Sequence, residues 1–149
     1  MTGSRIAIDR GMRTMRIMLP FVLFLSLLMA SARAGDDVAA AQSVIRAQEQ
    51  AFARDDGAAA YAQAAPAVKA LFPSVEIFMA MVKSGYAPVY RHRSFEFGVS
   101  QAEDGSIAQR VHIVDADGEA WEALYTLEMQ PDGTLKITGC SLLKAGQSV

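Results

Sequence analysis

Apolar and polar residues alternate along residues 87–144 in four runs, with the apolar side chains mainly at odd positions. Phe95 and Phe97 in the first run and Tyr125 and Leu127 in the third are examples. Such alternation predicts β-strands with one buried face. Each run is separated from the next by a turn ending in Asp-Gly, a strong hairpin signal because glycine adopts positive φ without steric cost. The pattern therefore predicts a four-stranded antiparallel meander.

The same turns predict the register of the sheet. A three-residue x-Asp-Gly turn, with glycine in the left-handed conformation, pairs odd positions with odd positions. The turns at residues 103–105, 116–118 and 131–133 all fit this solution. It leaves Leu124, Cys140 and Leu142 on the outer face, where they would form an apolar patch. The predicted inward rows are Phe95–Ile113–Trp121–Leu143, Phe97–Val111–Ala123–Ser141, Val99–Gln109–Tyr125–Gly139 and Gln101–Ile107–Leu127–Ile137.

Helical spacing dominates the chain before the meander. Apolar residues at helical intervals predict a helix over 38–54, and Asp56 is placed to cap a short helix over 58–64. Pro66 begins another short helix or turn, and a third apolar helical face follows over 75–85. A sheet with one apolar face needs cover, which these helices supply. We therefore predict an α+β fold with N-terminal helices packed on one face of a curved four-stranded antiparallel meander.

Residues 1–34 have the three parts of a secretory signal peptide. Arg13 and Arg16 precede an apolar run over 18–30, and Ala32-Arg33-Ala34 forms a cleavage site. A run of this length, interrupted by proline, is shorter than the roughly 20 residues of a membrane-spanning helix. We predict cleavage after Ala34, a single domain over 35–149, a periplasmic or secreted location, and no membrane association after cleavage.

The net charge limits the partners of the domain, and the cysteine content limits its disulfide and redox chemistry. Residues 35–149 carry nine basic and fifteen acidic residues, a net charge of −6. This charge argues against nucleic acid, because phosphate binding requires a basic surface. Cys140 is the one cysteine, so no internal disulfide can form, and without a C-x-x-C motif it is interpreted as a small apolar residue.

Several short motifs resemble an uncharacterised family of short exported bacterial proteins, known as a domain of unknown function. The layout is also similar to the nuclear-transport-factor-2-like superfamily, with a cystatin-like cone, which includes ketosteroid isomerases and SnoaL-like polyketide cyclases. This resemblance implies a pocket between sheet and helices and no particular activity. The motifs are Gln48-x-x-Ala51-Phe52, Asp55-Asp56, Ala65-Pro66, Phe72, Phe78-x-x-Met81-Val82, Tyr86-x-Pro88-Val89, Asp117-Gly118-x-x-Trp121 and Tyr125.

The candidate ligand-binding residues are the polar and aromatic side chains assigned to the inside of the cone. They are Tyr125, Gln109, Arg93, Trp121 and Gln48. Arg91 and Arg93 share the inward parity of Phe95 and would form a cationic rim at the mouth of the cone, unless a bulge before Ser94 turns both to solvent. No inward position of the sheet rows is acidic or histidine, which argues against acid–base catalysis. His92 and His112 lack three-ligand metal spacing, so we predict no metal, cofactor or catalytic residue.

Three functions remain open on this sequence. The leading hypothesis is a non-enzymatic exported domain that binds a small apolar or amphipathic ligand in the cone. In this hypothesis the domain is a homodimer formed through Leu124, Cys140 and Leu142. The second is a small isomerase- or cyclase-like enzyme that uses the same cone. The third is a protein-interaction module whose cone is filled by its own side chains.

Overall fold

Helices precede strands throughout the described part of the chain. The structure, a computed structural model, describes the backbone of residues 19–146 and the side chains of residues 33–146. The predicted signal peptide therefore lies largely outside the described residues. Among the residues described, no helix has the length and hydropathy that crossing a membrane requires. The elements are α1 (Leu19–Ala53), α2 (Gly57–Ala62), α3 (Pro66–Leu71), α4 (Val75–Gly85), α5 (Ala87–Tyr90), β1 (His92–Glu103), β2 (Ser106–Asp115), β3 (Ala120–Met129) and β4 (Leu135–Lys144).

The four strands form one antiparallel sheet in the order β1-β2-β3-β4. Side chains from one face of this sheet and from the helices form a common apolar core, which includes Ile45, Phe52, Phe78, Val111 and Leu127. The predicted α+β meander is thus confirmed. Burial of these side chains is the main favourable contribution to folding, because it removes apolar surface from water.

Local capping explains where the helices begin and end. Asp55, with φ of 56°, follows α1, and the Asp56 carboxylate accepts a 3.0 Å hydrogen bond from Ala59 N at the start of α2. The Ser74 hydroxyl caps α4 in the same way, accepting from Ile77 N at 3.2 Å. The short helix α5 was not predicted. Pro88 lies in its first turn, where its missing N–H is harmless, so the first strand begins later than its apolar pattern suggests.

Two of the three turns have the predicted geometry. Gly118 and Gly133 have φ of 86° and 83°, and each donates its N–H to the carbonyl three residues earlier. Each ends a three-residue loop, so Ile113 pairs with Trp121 and Gln109 pairs with Tyr125, as predicted. The register between β2 and β3 is therefore confirmed along its whole length.

The first turn and its register were predicted wrongly. Asp104 and Gly105 both have positive φ, 48° and 79°, and Glu103 pairs with Ser106 in a tight two-residue turn. Such a turn pairs odd positions with even positions. A bulge at Gly98 and Val99 restores the pairing of odd with odd positions farther along β1. Val99 is consequently 69% exposed rather than inward. Gln101 likewise loses its inward place, because Ala102 pairs with Ile107.

A second bulge changes the faces of β4. Leu127 pairs with Ile137, but Thr126 pairs with Gly139, so that one extra residue is inserted in β4. Beyond it Tyr125 pairs with Cys140 and Ala123 with Leu142, which turns both β4 side chains toward the core. The predicted outer patch of Leu124, Cys140 and Leu142 is therefore wrong for its last two members. Leu124 remains on the outer face, 37% exposed.

A third bulge lies at the start of β1. His92 pairs with Asp115 and Ser94 with Val114, leaving Arg93 as the extra residue. Arg93 is exposed, which is the solvent-facing alternative considered for it. Arg91 is also exposed, and its guanidinium binds Asp55 at 2.7 Å and the carbonyl of Phe52 at 2.8 Å. Arg91 therefore supports the end of α1, and the exposed Arg93 does not form the predicted cationic rim.

Candidate ligand-binding site

A cavity of about 210 Å³ lies between the helices and the inner face of the sheet. Phe52 of α1, Val68 of α3 and Phe78 of α4 contribute to its apolar wall. Leu71 also belongs to the lining and is 75% exposed, which places this residue at the mouth. Predominantly apolar walls with a few polar groups are typical of small-molecule sites.

The polar groups of the cavity cluster around β3 and β4. Tyr125 is 2% exposed, and it pairs across the sheet with Cys140, which also lines the cavity. Tyr86 donates its hydroxyl to the Cys140 carbonyl at 2.8 Å. Gln48 of α1 donates from Nε2 to the carbonyl of Ala60 at 3.2 Å. Two of the predicted site residues, Tyr125 and Gln48, thus line one cavity.

These groups remain uncharged near neutral pH. Burial, followed by the neighbouring Cys140, raises the pKa of Tyr125 well above its ordinary value, and the same causes raise the pKa of Tyr86. Burial raises the pKa of the Cys140 thiol to about 12, against a smaller opposite effect of the Tyr125 hydroxyl. A thiol of this kind is almost wholly protonated and is a poor nucleophile.

Charged side chains are absent from the lining. Among the described residues that line the cavity, none is Asp, Glu, His, Lys or Arg. Across the described part of the chain, no three His, Cys, Asp or Glu side chains converge as metal ligands. An unpaired ion in such a place would lose its hydration without compensation. A charged group placed in this lining would therefore meet no opposite charge among the described side chains.

Gln109 adjoins Tyr125 as predicted but lies outside the cavity lining. Its side chain is fully buried, and Nε2 donates to the carbonyls of Gly98 at 2.9 Å and of Arg110 at 2.8 Å. Its Oε1 accepts from Gln42 Nε2 of α1 at 3.0 Å. The amide therefore holds the β1 bulge and ties the first helix to the sheet.

Trp121 and Arg93 also lie outside the cavity lining. Trp121 is half-buried and donates its indole N–H to Asp115 at 2.8 Å. It contributes to a separate open depression of about 420 Å³, together with Arg91 and Leu142. Both carboxylate oxygens of Asp115 have hydrogen-bond partners, because the second oxygen accepts backbone N–H groups from the β2–β3 turn. Burial alone would raise the pKa of Asp115, but the bonds from Trp121 and the turn together lower it.

Residues 34–148 match a family model described as Domain of unknown function (DUF4864). The chain belongs to this family. The predicted membership of an uncharacterised domain family is therefore confirmed, and the match extends from α1 to the end of β4. No curated protein and no solved structure matches the chain. The likeness to the nuclear-transport-factor-2-like superfamily remains a prediction.

The DUF4864 domain also contains a polar cluster that sequence reasoning missed. Glu49 of α1 binds Arg46 at 2.7 Å and His92 Nε2 at 2.9 Å, while His92 Nδ1 lies 3.2 Å from the carbonyl of Val89. Arg46 stacks over the rings of Phe95 and Phe97. Glu49 directly follows Gln48 in the helix predicted over 38–54, and this position is the signal in the sequence that could have revealed the cluster. The cluster lies outside the cavity lining and joins α1 to β1.

Proposed function

We propose that this chain is an exported, non-enzymatic domain that binds one small, largely apolar molecule in the cavity between sheet and helices. The observation that carries the proposal is the apolar cavity of about 210 Å³ that opens at Leu71. An apolar protein cavity of roughly 150 Å³ is large enough to bind benzene. The ligand would therefore be about the size of one substituted aromatic ring or a short acyl chain.

The composition of the lining supports binding over catalysis. An isomerase- or cyclase-like enzyme would place an Asp, Glu or His against its substrate as a general base. The titratable side chains of the lining are Tyr86, Tyr125 and Cys140, and burial raises the pKa of each away from neutrality. Glu49 and His92 bind each other outside the cavity lining. The third alternative, an interaction module, would require that no small molecule enters.

Export and dimerisation are separate parts of the proposal. Export is supported by the charged region, apolar run and A-x-A site of residues 1–34. The homodimer remains a prediction. Fewer residues support it now, because only Leu124 of the three predicted interface residues lies on the outer face. Leu143, 42% exposed, is another apolar side chain on that face, beside Glu122.

A cavity-filling variant tests the binding proposal. Val68 lines the cavity, whereas its neighbour Ala67 on α3 is exposed. Val68→Phe should occupy the cavity with its own ring, and Ala67→Phe adds the same group to the surface. Thermal denaturation with p-xylene should show a ligand-dependent rise in melting temperature for the wild type and for Ala67→Phe, because a ligand that binds the native state stabilises it.

The Val68→Phe variant should show no such rise while remaining folded. A rise of equal size in all three proteins would place p-xylene elsewhere and contradict the proposal. The absence of any rise in the wild type would favour the interaction module.

A further inference from the structure

We propose that the ligand is an uncharged molecule with one oxygen function, a hydroxyl or a carbonyl, which hydrogen-bonds to the Tyr125 hydroxyl at the Cys140 side of the cavity. This inference rests on the proposed function and specifies the class of ligand. Three observations lead to it: the unused hydrogen-bonding capacity of Tyr125, the acceptors already bound by the other hydroxyl and amide donors, and the absence of charge from the described lining.

The Tyr125 hydroxyl is buried but weakly partnered. The residue is 2% exposed and lines the cavity. Its neighbour across the sheet is Cys140, which also lines the cavity and whose Sγ donates to the carbonyl of Ser141 at 4.0 Å. A phenol can donate one hydrogen bond and accept others, whereas a thiol is a weak donor and a weak acceptor. A ligand oxygen beside the phenol would therefore form a stronger hydrogen bond than the thiol does.

The other hydroxyl and amide donors of the lining, on Tyr86, Gln48 and Thr138, already have acceptors. The Tyr86 hydroxyl donates to the Cys140 carbonyl at 2.8 Å, within the usual range for a good hydrogen bond. Gln48 Nε2 donates to the carbonyl of Ala60 at 3.2 Å. Binding a ligand through either donor would break an existing contact. Tyr125 is thus the group whose hydrogen bonding a ligand would improve.

The surroundings also determine the charge of the ligand. No described lining residue carries a charge that could pair with a carboxylate or an ammonium group. A buried ion without a partner is strongly disfavoured, whereas a neutral oxygen needs one hydrogen bond. Small alcohols, phenols, aldehydes and ketones with an apolar body meet these conditions.

Three probes of nearly equal shape separate the ligand classes: p-xylene is apolar, p-cresol is a neutral phenol and p-toluate is an anion. Affinities for the wild type, Tyr125→Phe and Tyr86→Phe would be measured by isotope-edited NMR titration.

Tyr125→Phe should weaken p-cresol binding about 3- to 10-fold, the usual effect of one hydrogen bond, and leave p-xylene binding unchanged. Tyr86→Phe removes a hydroxyl that is already partnered, so the ratio of the two affinities should stay at the wild-type value. The anion p-toluate should not bind.

Cys140 provides a second readout in the unmodified protein. Because it is the one cysteine in the chain, its S–H stretching band is unambiguous in the infrared spectrum. Binding of p-cresol beside Tyr125 should shift this band by placing a polar group next to the Cys140 thiol, and p-xylene should shift it less. This measurement does not depend on the folding of any variant.

Two results would overturn the inference and leave the proposed function standing. One is an equal effect of Tyr125→Phe on p-cresol and p-xylene with no difference in the S–H band. The other is binding of p-toluate as tight as that of p-cresol. If none of the probes binds the wild type, the proposed function itself fails.

Discussion

At the scale of single residues, Gln109 illustrates the limit of prediction from sequence. The alternating pattern correctly predicted that Gln109 lies on the inner face of the sheet beside Tyr125. Its role as a ligand-binding group assumed a free amide. Buried amides take hydrogen-bond partners from the backbone around them, and the partners here are the carbonyls of a bulge that the pattern did not reveal. The position was predictable, but its hydrogen-bonding partners were not.

The role of Gln109 can be tested by removing its amide at nearly constant volume. Gln109→Leu would leave the carbonyls of Gly98 and Arg110 and the amide of Gln42 without this partner. Loss of hydrogen bonds by buried groups should lower the free energy of unfolding by about 1–3 kcal/mol. Chemical denaturation of the two proteins, followed by circular dichroism, measures this difference.

Gln101→Leu is the matched control, because Gln101 is exposed on the same hairpin. Surface substitutions of this kind change stability by less than about 0.5 kcal/mol. If Gln109→Leu were as stable as the control, the amide would not be what holds the bulge.

At the scale of elements, the strand register could be predicted except where β1 and β4 have bulges beside a glycine. The β2–β3 register followed from turn chemistry and alternation, and it is correct throughout. The registers of β1 and β4 changed faces at bulges beside Gly98 and Gly139. An isolated glycine within a strand is a known signal for a bulge, so the two sites could have been suspected. The consequence, which face each following residue occupies, depends on whether the strand has a bulge at the glycine or continues regularly through it.

The reactivity of Cys140 tests the β4 register directly. If Cys140 faces the core, its thiol is shielded, and burial raises its pKa to about 12. At mildly alkaline pH the thiolate population of such a group is reduced by about three orders of magnitude relative to an ordinary cysteine. We expect modification by a disulfide reagent to be about a thousandfold slower in the native protein than in denaturant.

The control for this experiment moves the thiol by one residue. Ser141 is exposed and pairs with Leu124 of the outer face. Cys140→Ala combined with Ser141→Cys should therefore react at close to the denatured rate while folded. Rapid reaction of native Cys140 would instead return its side chain to the outer face and restore the predicted apolar patch.

At the scale of the whole molecule, the fold could be predicted more completely than the site. Helical spacing, capping residues and Asp-Gly turns agree on one architecture, which makes the order of elements predictable from the sequence. The cavity depends on how side chains of several sizes meet across four helices and two strands. No periodic pattern encodes that residual volume, so the sequence could suggest a cone but could not predict its size or its mouth.

The described core also predicts that residues 35–149 fold as a unit without the residues before them. Every described side chain of α1 that is buried lies at residue 41 or beyond, including Ala41, Ile45 and Phe52. Cleavage after Ala34 would therefore remove none of them. Asp36 and Asp37 would then begin the helix, where acidic residues interact favourably with its free N–H groups.

A chain of residues 35–149 should unfold cooperatively, with the core and the p-xylene response retained. Mass spectrometry of the periplasmic fraction should find Gly35 as the first residue of the exported protein. Full-length protein retained in the inner membrane would refute export with cleavage, and a non-cooperative 35–149 chain would show that residues before Gly35 belong to the fold.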